Sequence, residues 1–222
     1  MSVFKLRGRA TFVSIAAKFT AISTFSTPST FSTPSTFSTD YKMEPQAWHV
    51  ESSQYVYDRK PYMTLREDAV RLPNGARIPD YFVFEYPDWV SVLAITTDEQ
   101  FVLIRQYRHG IGQIHYELAA GVVDPEEPLL DSARRELLEE TGFGGGAWQL
   151  WLRACANPGT HNNWCHIFLA TGVERMDVQQ LDHTEEISVH LLSQQDVLDL
   201  LRTGGVAQAL HAAALWRYFA ER

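Results

Sequence analysis

The chain has 222 residues, 45% apolar and 21% charged, with a formal net charge of -8, enough for one medium domain with a buried core plus an extension. No stretch approaches the roughly 20 uncharged apolar residues of a membrane span, and two cysteines, Cys155 and Cys165, are too few for a disulfide scaffold and lack zinc-ligand spacing. Four basic residues (Lys5, Arg7, Arg9 and Lys18) face only Asp40 in the first forty positions, so the acidity lies in the remainder, which argues against nucleic acid as a partner and suits the recruitment of divalent cations.

Residues 1–43 read as an extension, disordered or targeting. "MSVFKLRGRATFVSIAAKFTAIS" is basic and rich in hydroxyl residues, as an organellar transit peptide is. "STFSTPSTFSTPSTFSTD" repeats every six residues and cannot build a packed core. Either the segment directs the protein to a mitochondrion or another organelle, or translation begins at Met43 and the protein is cytoplasmic. The two cysteines fit buried thiols of a reducing compartment, with a single disulfide as the alternative.

Residues 44–222 read as the folded domain, an N-terminal strand subdomain at 44–88 followed by a core at 89–222. "YMTLREDAVRL" ends at Pro73-Asn74-Gly75, and "RIPDYFVFEY" ends at Pro87-Asp88, so both are expected as strands. "WVSVLAIT" and "FVLIRQYR" flank Thr97-Asp98-Glu99 as a hairpin. A helix is expected over 128–141. "WQLWLRAC" and "WCHIFLAT" follow as strands around the loop "ANPGTHNN", and "ISVHLL" is another. Ser193 with Asp196 resembles a capping box opening a helix to Leu201. A last amphipathic helix runs from Gly204-Gly205 to about Ala220. Strands alternating with a few helices give an α/β or α+β domain with a mixed sheet.

The helix at 128–141 carries an unusual acid pattern. At about 100° per residue, Glu136, Glu139 and Glu140 share one arc, while Leu130, Ala133, Leu137 and Leu138 occupy the adjoining one. Three clustered anions repel one another and sit near the helix C-terminus, where the dipole disfavours them. A hard divalent cation offsets both costs, because Mg²⁺ and Mn²⁺ prefer carboxylate oxygens. The spacing extends beyond the arc. Gly121 is followed by five residues and Glu127, then seven residues and Arg135-Glu136-Leu137. One residue later comes Glu139-Glu140, and one further on, Gly142-Phe143.

This spacing resembles the signature of the Nudix hydrolases at every position. The resemblance implies a Nudix fold, a mixed sheet sandwiched between helices. It also implies Mg²⁺- or Mn²⁺-dependent cleavage of a pyrophosphate bond in a nucleoside diphosphate derivative. By the same resemblance Glu136 and Glu140 are metal ligands, and Glu139 is a ligand or a holder of metal-bound water. Ala120 offers its carbonyl to the metal, with Gly121 permitting the turn that aims it. Arg135 and Glu127 form an orienting ion pair.

"IRQYR" and "YELAAGVVD" resemble the ADP-ribose and nucleotide-sugar pyrophosphatase branch. This implies that Arg108 holds substrate phosphate, and that Glu117 contacts the nucleotide or metal-bound water. The chain departs from the branch in two places. Ala119 replaces a proline, and His161, Asn162 and Asn163 occupy a loop where the branch has a glutamate. Asn162 and Asn163 are candidates for substrate contact, or for capping their own loop. Glu185 or Glu186, in "LDHTEEISV", is the candidate general base, with a glutamate of the signature as the alternative. The implied substrate is ADP-ribose or a nucleotide sugar. A dinucleotide polyphosphate, a nucleoside triphosphate or a non-catalytic sensing role are the alternatives. The branch further implies a homodimer formed through the N-terminal strands.

Overall fold

Residues 44–60 and 63–222 are described by a computed structural model of the chain, and the readings for residues 1–43 lie outside them. Strands β1 (His49–Arg59), β2 (Met63–Arg71) and β3 (Arg77–Glu85) form an antiparallel sheet in that order. The expected turn between β2 and β3 is closed by Leu72 and Ala76, with Gly75 at φ 85°. Strand β1 was not visible as a strand in the sequence. All of its residues are exposed, so it carries no alternation of buried and solvated positions. The sheet is fastened to the rest of the chain through Phe84. Its N–H donates to the Thr160 carbonyl, its carbonyl accepts from the Asn162 N–H, and it bridges to His161.

The core follows as β4 (Trp89–Thr96), β5 (Phe101–Arg108), β6 (Gln113–Glu117), β7 (Ala119–Val122), α1 (Leu129–Thr141) and β8 (Phe143–Gly144). Then come β9 (Ala147–Ala154), β10 (Cys165–Arg175), β11 (Ile187–Leu192), α2 (Gln194–Thr203) and α3 (Ala209–Ala220). The spine of the sheet runs β11-β5-β4-β10-β8, with β6 on β5, β7 on β4 and β9 on β10. Strands β4 and β10 run parallel and the other pairs are antiparallel, so the sheet is mixed, as expected.

The apolar runs of β4 and β10 are nearly unbroken because both of their faces are covered. Val90, Val92 and Ala94 join Phe168 and Ala170 under Ala133 and Leu137 of α1. Leu93, Ile95, Ile167 and Leu169 face the other way, onto Val197 and Leu201 of α2 and Ala214 and Leu215 of α3. Truncating a fully buried leucine such as Leu93 or Leu215 costs about 2–5 kcal/mol. The capping box is present: the Ser193 hydroxyl accepts from the Asp196 N–H and the Asp196 carboxylate from the Ser193 N–H. Both cysteines are free thiols.

One edge of β4 is shared by two strands. Ala94 and Ile95 pair with β5, whereas Trp89 to Val92 pair with β7. The chain therefore leaves β5 as β6, crosses at Glu117-Leu118, and rejoins β4 as β7. The sheet splits at this point, and the signature residues gather beside the split.

Candidate active site

Helix α1 begins after Pro128 and ends at Gly142, whose φ of 75° allows its N–H to close on the Leu138 carbonyl. Ala133 and Leu137 are buried against the sheet, which turns the Glu136–Glu140 arc toward β7. Glu140 is 5% exposed, and its Oε2 accepts from the Ala120 N–H at 2.9 Å. Burial pushes its carboxyl pKa up to about 8. The charges of Glu136 and Glu185 push the same way, while the Ala120 N–H and Arg108 oppose them. Glu136 is also raised, first by burial, against the pull of Arg135.

Gly121 works differently from the expected turn. It lies in β7 opposite Val90, outside the left-handed region. A Cβ there would sit 2.1 Å from the Glu136 carboxyl carbon. The glycine is needed because the Glu136 carboxyl group lies against its Cα. Ala120 likewise shows a role the sequence did not suggest, as an N–H donor to Glu140.

Arg135 organises the acids. Its Nε and Nη2 hold both oxygens of Glu127 at 3.0 and 2.9 Å, so the expected ion pair is present and bidentate. Its Nη1 donates to Glu136 Oε1 at 2.8 Å and to Glu139 Oε2 at 3.2 Å. One guanidinium thus ties the loop before the helix to two acids of the arc, and their charges raise its pKa, Glu127 contributing most. Among the described residues, no three acid, histidine or cysteine side chains already converge on a single cation position. The donor set nevertheless fits a divalent ion. Glu140 is a buried carboxyl held above its ordinary pKa by burial and neighbouring anions. Such a group gains most from a hard cation.

Arg108 and Glu117 pair with each other. Arg108 Nε and Nη2 donate to the two Glu117 oxygens at 2.8 and 2.5 Å. Glu117 is 2% exposed, and nearly half of the Arg108 side chain faces solvent. The pair borders a cleft of about 510 Å³, lined also by Trp89, Ile111, Gln208 and His211. His211 is buried and neutral, its pKa lowered to about 4 chiefly by burial. Its Nδ1 accepts from the Leu118 N–H, which fixes the backbone between β6 and β7. No spacing in the sequence pointed to His211, since a lone histidine on an amphipathic helix resembles any core residue.

The two candidate bases separate. Glu185 lies near enough to Glu136 and Glu140 for its charge to raise both. Glu186 lines a different groove, with Arg105, Tyr107 and Ser188. The segment that carries Glu185 crosses the end of α1. The Gln180 N–H donates to the Glu139 carbonyl, and the Gln179 side-chain amide to the Glu140 carbonyl. Neither glutamine stood out in the sequence. Asn162 and Asn163 belong to the loop docked on β3. The Asn162 N–H meets the Phe84 carbonyl, and the Asn163 amide donates to the Pro87 carbonyl. These contacts dock the loop on the end of β3 and the segment after it, and involve neither a substrate nor the loop's own backbone.

Comparison with known proteins agrees with this geometry. Residues 86–212 match the model described as NUDIX domain, and residues 48–84 match that of the nucleoside diphosphate sugar hydrolase N-terminal domain. The chain is 34% identical over 122 residues to an ADP-ribose pyrophosphatase of Mycobacterium tuberculosis, covering 54% of this chain and 58% of that one. It is 29% identical over 152 residues to an ADP-ribose pyrophosphatase of Bacillus subtilis, covering 68% and 82% respectively. The fold is similar to that of a crystal structure of an ADP compounds hydrolase. The TM-score is 0.70 at 22% identity, covering 81% of this chain and 97% of the other. With the signature intact and its acids gathered on one face of α1, the chain belongs to the Nudix hydrolases.

Proposed function

We propose that the protein hydrolyses the pyrophosphate bond of ADP-ribose or a related nucleotide sugar, giving a nucleoside monophosphate and a sugar phosphate, with Mg²⁺ or Mn²⁺. The observation that carries this reading is the buried Glu140, set beside Glu136 on an arc organised by Arg135. Relatives described as ADP-ribose pyrophosphatases support the substrate class. Glu136, Glu139 and Glu140 would hold the cation, which when bound supplies neutralisation of the diphosphate charge and activation of water. Arg108 lines the cleft beside Glu117 and offers hydrogen bonds to phosphate oxygens beyond those it spends on Glu117. Glu185 receives the proton of the attacking water as its oxygen bonds to phosphorus and the bridging oxygen leaves with the other phosphate.

Incubation with Mg²⁺ or Mn²⁺ and a panel of ADP-ribose, nucleotide sugars, dinucleotide polyphosphates and nucleoside triphosphates tests the assignment. Release of AMP and ribose 5-phosphate from ADP-ribose is the expected result. Turnover of triphosphates alone would move the protein to another branch. Binding without turnover in the wild type would make it a sensing module. The protein is further proposed to be a homodimer. Trp48, Val50, Tyr55, Val56, Tyr57 and Phe82 are large apolar side chains left exposed on and beside the N-terminal sheet, a concentration that suits an interaction surface. A monomeric mass by light scattering would contradict this.

A further inference from the structure

The segment between β10 and β11 crosses the C-terminal end of α1 and supplies donors to carbonyls that a helix end leaves unpaired. Met176 and Asp177 donate their N–H groups to the Gly142 carbonyl. The Gln180 N–H donates to the Glu139 carbonyl at 2.9 Å. The close approach depends on Gly142, where a Cβ would meet the Asp177 carbonyl oxygen at 2.3 Å. These donors also face the negative end of the helix dipole, which the three glutamates otherwise aggravate.

Within the segment, one half-buried side chain bonds to two carbonyls, one on the helix and one on β11. Gln179 Nε2 donates to the Glu140 carbonyl at 2.7 Å and to the Ile187 carbonyl at 3.3 Å. The first acceptor belongs to the most buried acid of the arc. The second opens β11, two residues after Glu185. Residues 180–186 are therefore closed into a loop whose two ends meet at one amide, itself fixed to the helix. Inside that loop, the Glu185 N–H donates to the Asp182 carbonyl, and the Asp182 N–H to Glu185 Oε2, each at 2.9 Å. The inner turn shapes the Glu185 side chain, and Gln179 sets where the whole turn stands relative to Glu140.

We propose that Gln179 is a positioning residue for hydrolysis, holding the Glu185 turn at a fixed place over the acidic helix through its paired bonds to the Glu140 and Ile187 carbonyls. The proposal rests on the reading of Glu185 as the base that accepts the proton of water. An amide is suited to the task, because its two N–H bonds reach two carbonyls at once while it adds no charge among acids. Methionine has similar length and no donor, and a glutamate would set a carboxylate against two carbonyl oxygens.

The test is a kinetic cycle on the full chain with ADP-ribose and Mn²⁺, using Gln179→Met, Glu185→Gln and the double variant, with thermal midpoints recorded for each. Gln179→Met is expected to lower kcat by about tenfold with KM within about twofold, as a displaced catalytic group does. Combined with Glu185→Gln it is expected to lower kcat no further, because a group that acts through Glu185 has nothing left to position. An equal loss from Gln179→Met in both backgrounds would overturn the proposal, as would a wild-type kcat in the single variant or a loss confined to KM. If Glu185→Gln alone keeps wild-type kcat, the reading of Glu185 as base fails first, and the proposal falls with it.

Discussion

The carboxyl group of Glu136 lies where a side chain on Gly121 would have to be, 2.1 Å from the position of its Cβ. The two residues belong to α1 and β7, which also meet through the Ala120 N–H and Glu140 and through Ala119 packed with Ala133 and Leu137. The atom in the way is the end of a flexible side chain, so Gly121→Ala leaves the fold standing and displaces Glu136. The expected result is a fall in kcat/KM of about 10- to 100-fold with a thermal midpoint close to wild type. A large loss of midpoint would show that β7 itself had moved.

Glu140 links pH to stability. Its folded pKa of about 8 lies above the 4.5 of an ordinary glutamate, so the folded state holds its proton more tightly than the unfolded one. That contribution is complete below pH 4.5 and is lost as pH rises through about 8. The metal-free protein is therefore expected to have a lower thermal midpoint at pH 8.5 than at pH 5.5. Addition of Mn²⁺ should raise the midpoint more at the higher pH, and metal-free Glu140→Gln should be the more stable protein there while being inactive. Midpoints with and without chelator across this range decide it. A flat profile, unaffected by the substitution, would contradict the burial argument.

Arg135→Lys keeps the charge and loses the fork. A lysine cannot bind both oxygens of Glu127 while donating to Glu136 and Glu139. Apparent affinity for Mn²⁺ is expected to weaken by about 10- to 100-fold, as for residues that orient metal ligands. Titration of activity against Mn²⁺ reads this directly, and an unchanged midpoint would remove Arg135 from that role.

Glu185→Gln and Glu186→Gln separate two adjacent acids. The first is expected to lower kcat by about 100-fold or more, the usual range for a general base. The second acts in the groove with Arg105 and Tyr107 and is expected to retain near wild-type kcat. The reverse order would transfer the proton-accepting role to Glu186.

Much of the site could be read from the chain because it is local. Arg135, Glu136, Glu139 and Glu140 fall on one helix, and the 3.6-residue period alone places them on adjoining arcs. Glu127 could be paired with Arg135 from the signature, and Ser193-Asp196 from its three-residue spacing. The parts that escaped depend on partners distant in sequence. Gln179 matters only because residues 139 and 140 lie beneath it, and His211 because Leu118 passes beside it. Strands β6 and β7 are short and interrupted at Leu118, so neither shows enough alternation to be recognised. The close approach at Gly121 is hidden for the same reason, since the chain does not reveal that a carboxyl group 15 positions later rests on it.

The shared edge of β4 has a consequence for how such a protein can change. Residues 109–112, with Gly112 at φ 65°, form the outer bend of an excursion that both leaves and returns to the main sheet. His109, Gly110 and Ile111 of that bend line the cleft, while β7 remains tied to β4 by its own ladder. The bend can lengthen, shorten or change character, altering the room available to a bound molecule, without transmitting a shift to Ala120 or the acidic helix. The lining of the cleft and the acidic helix are thereby placed on separately adjustable pieces of one continuous chain.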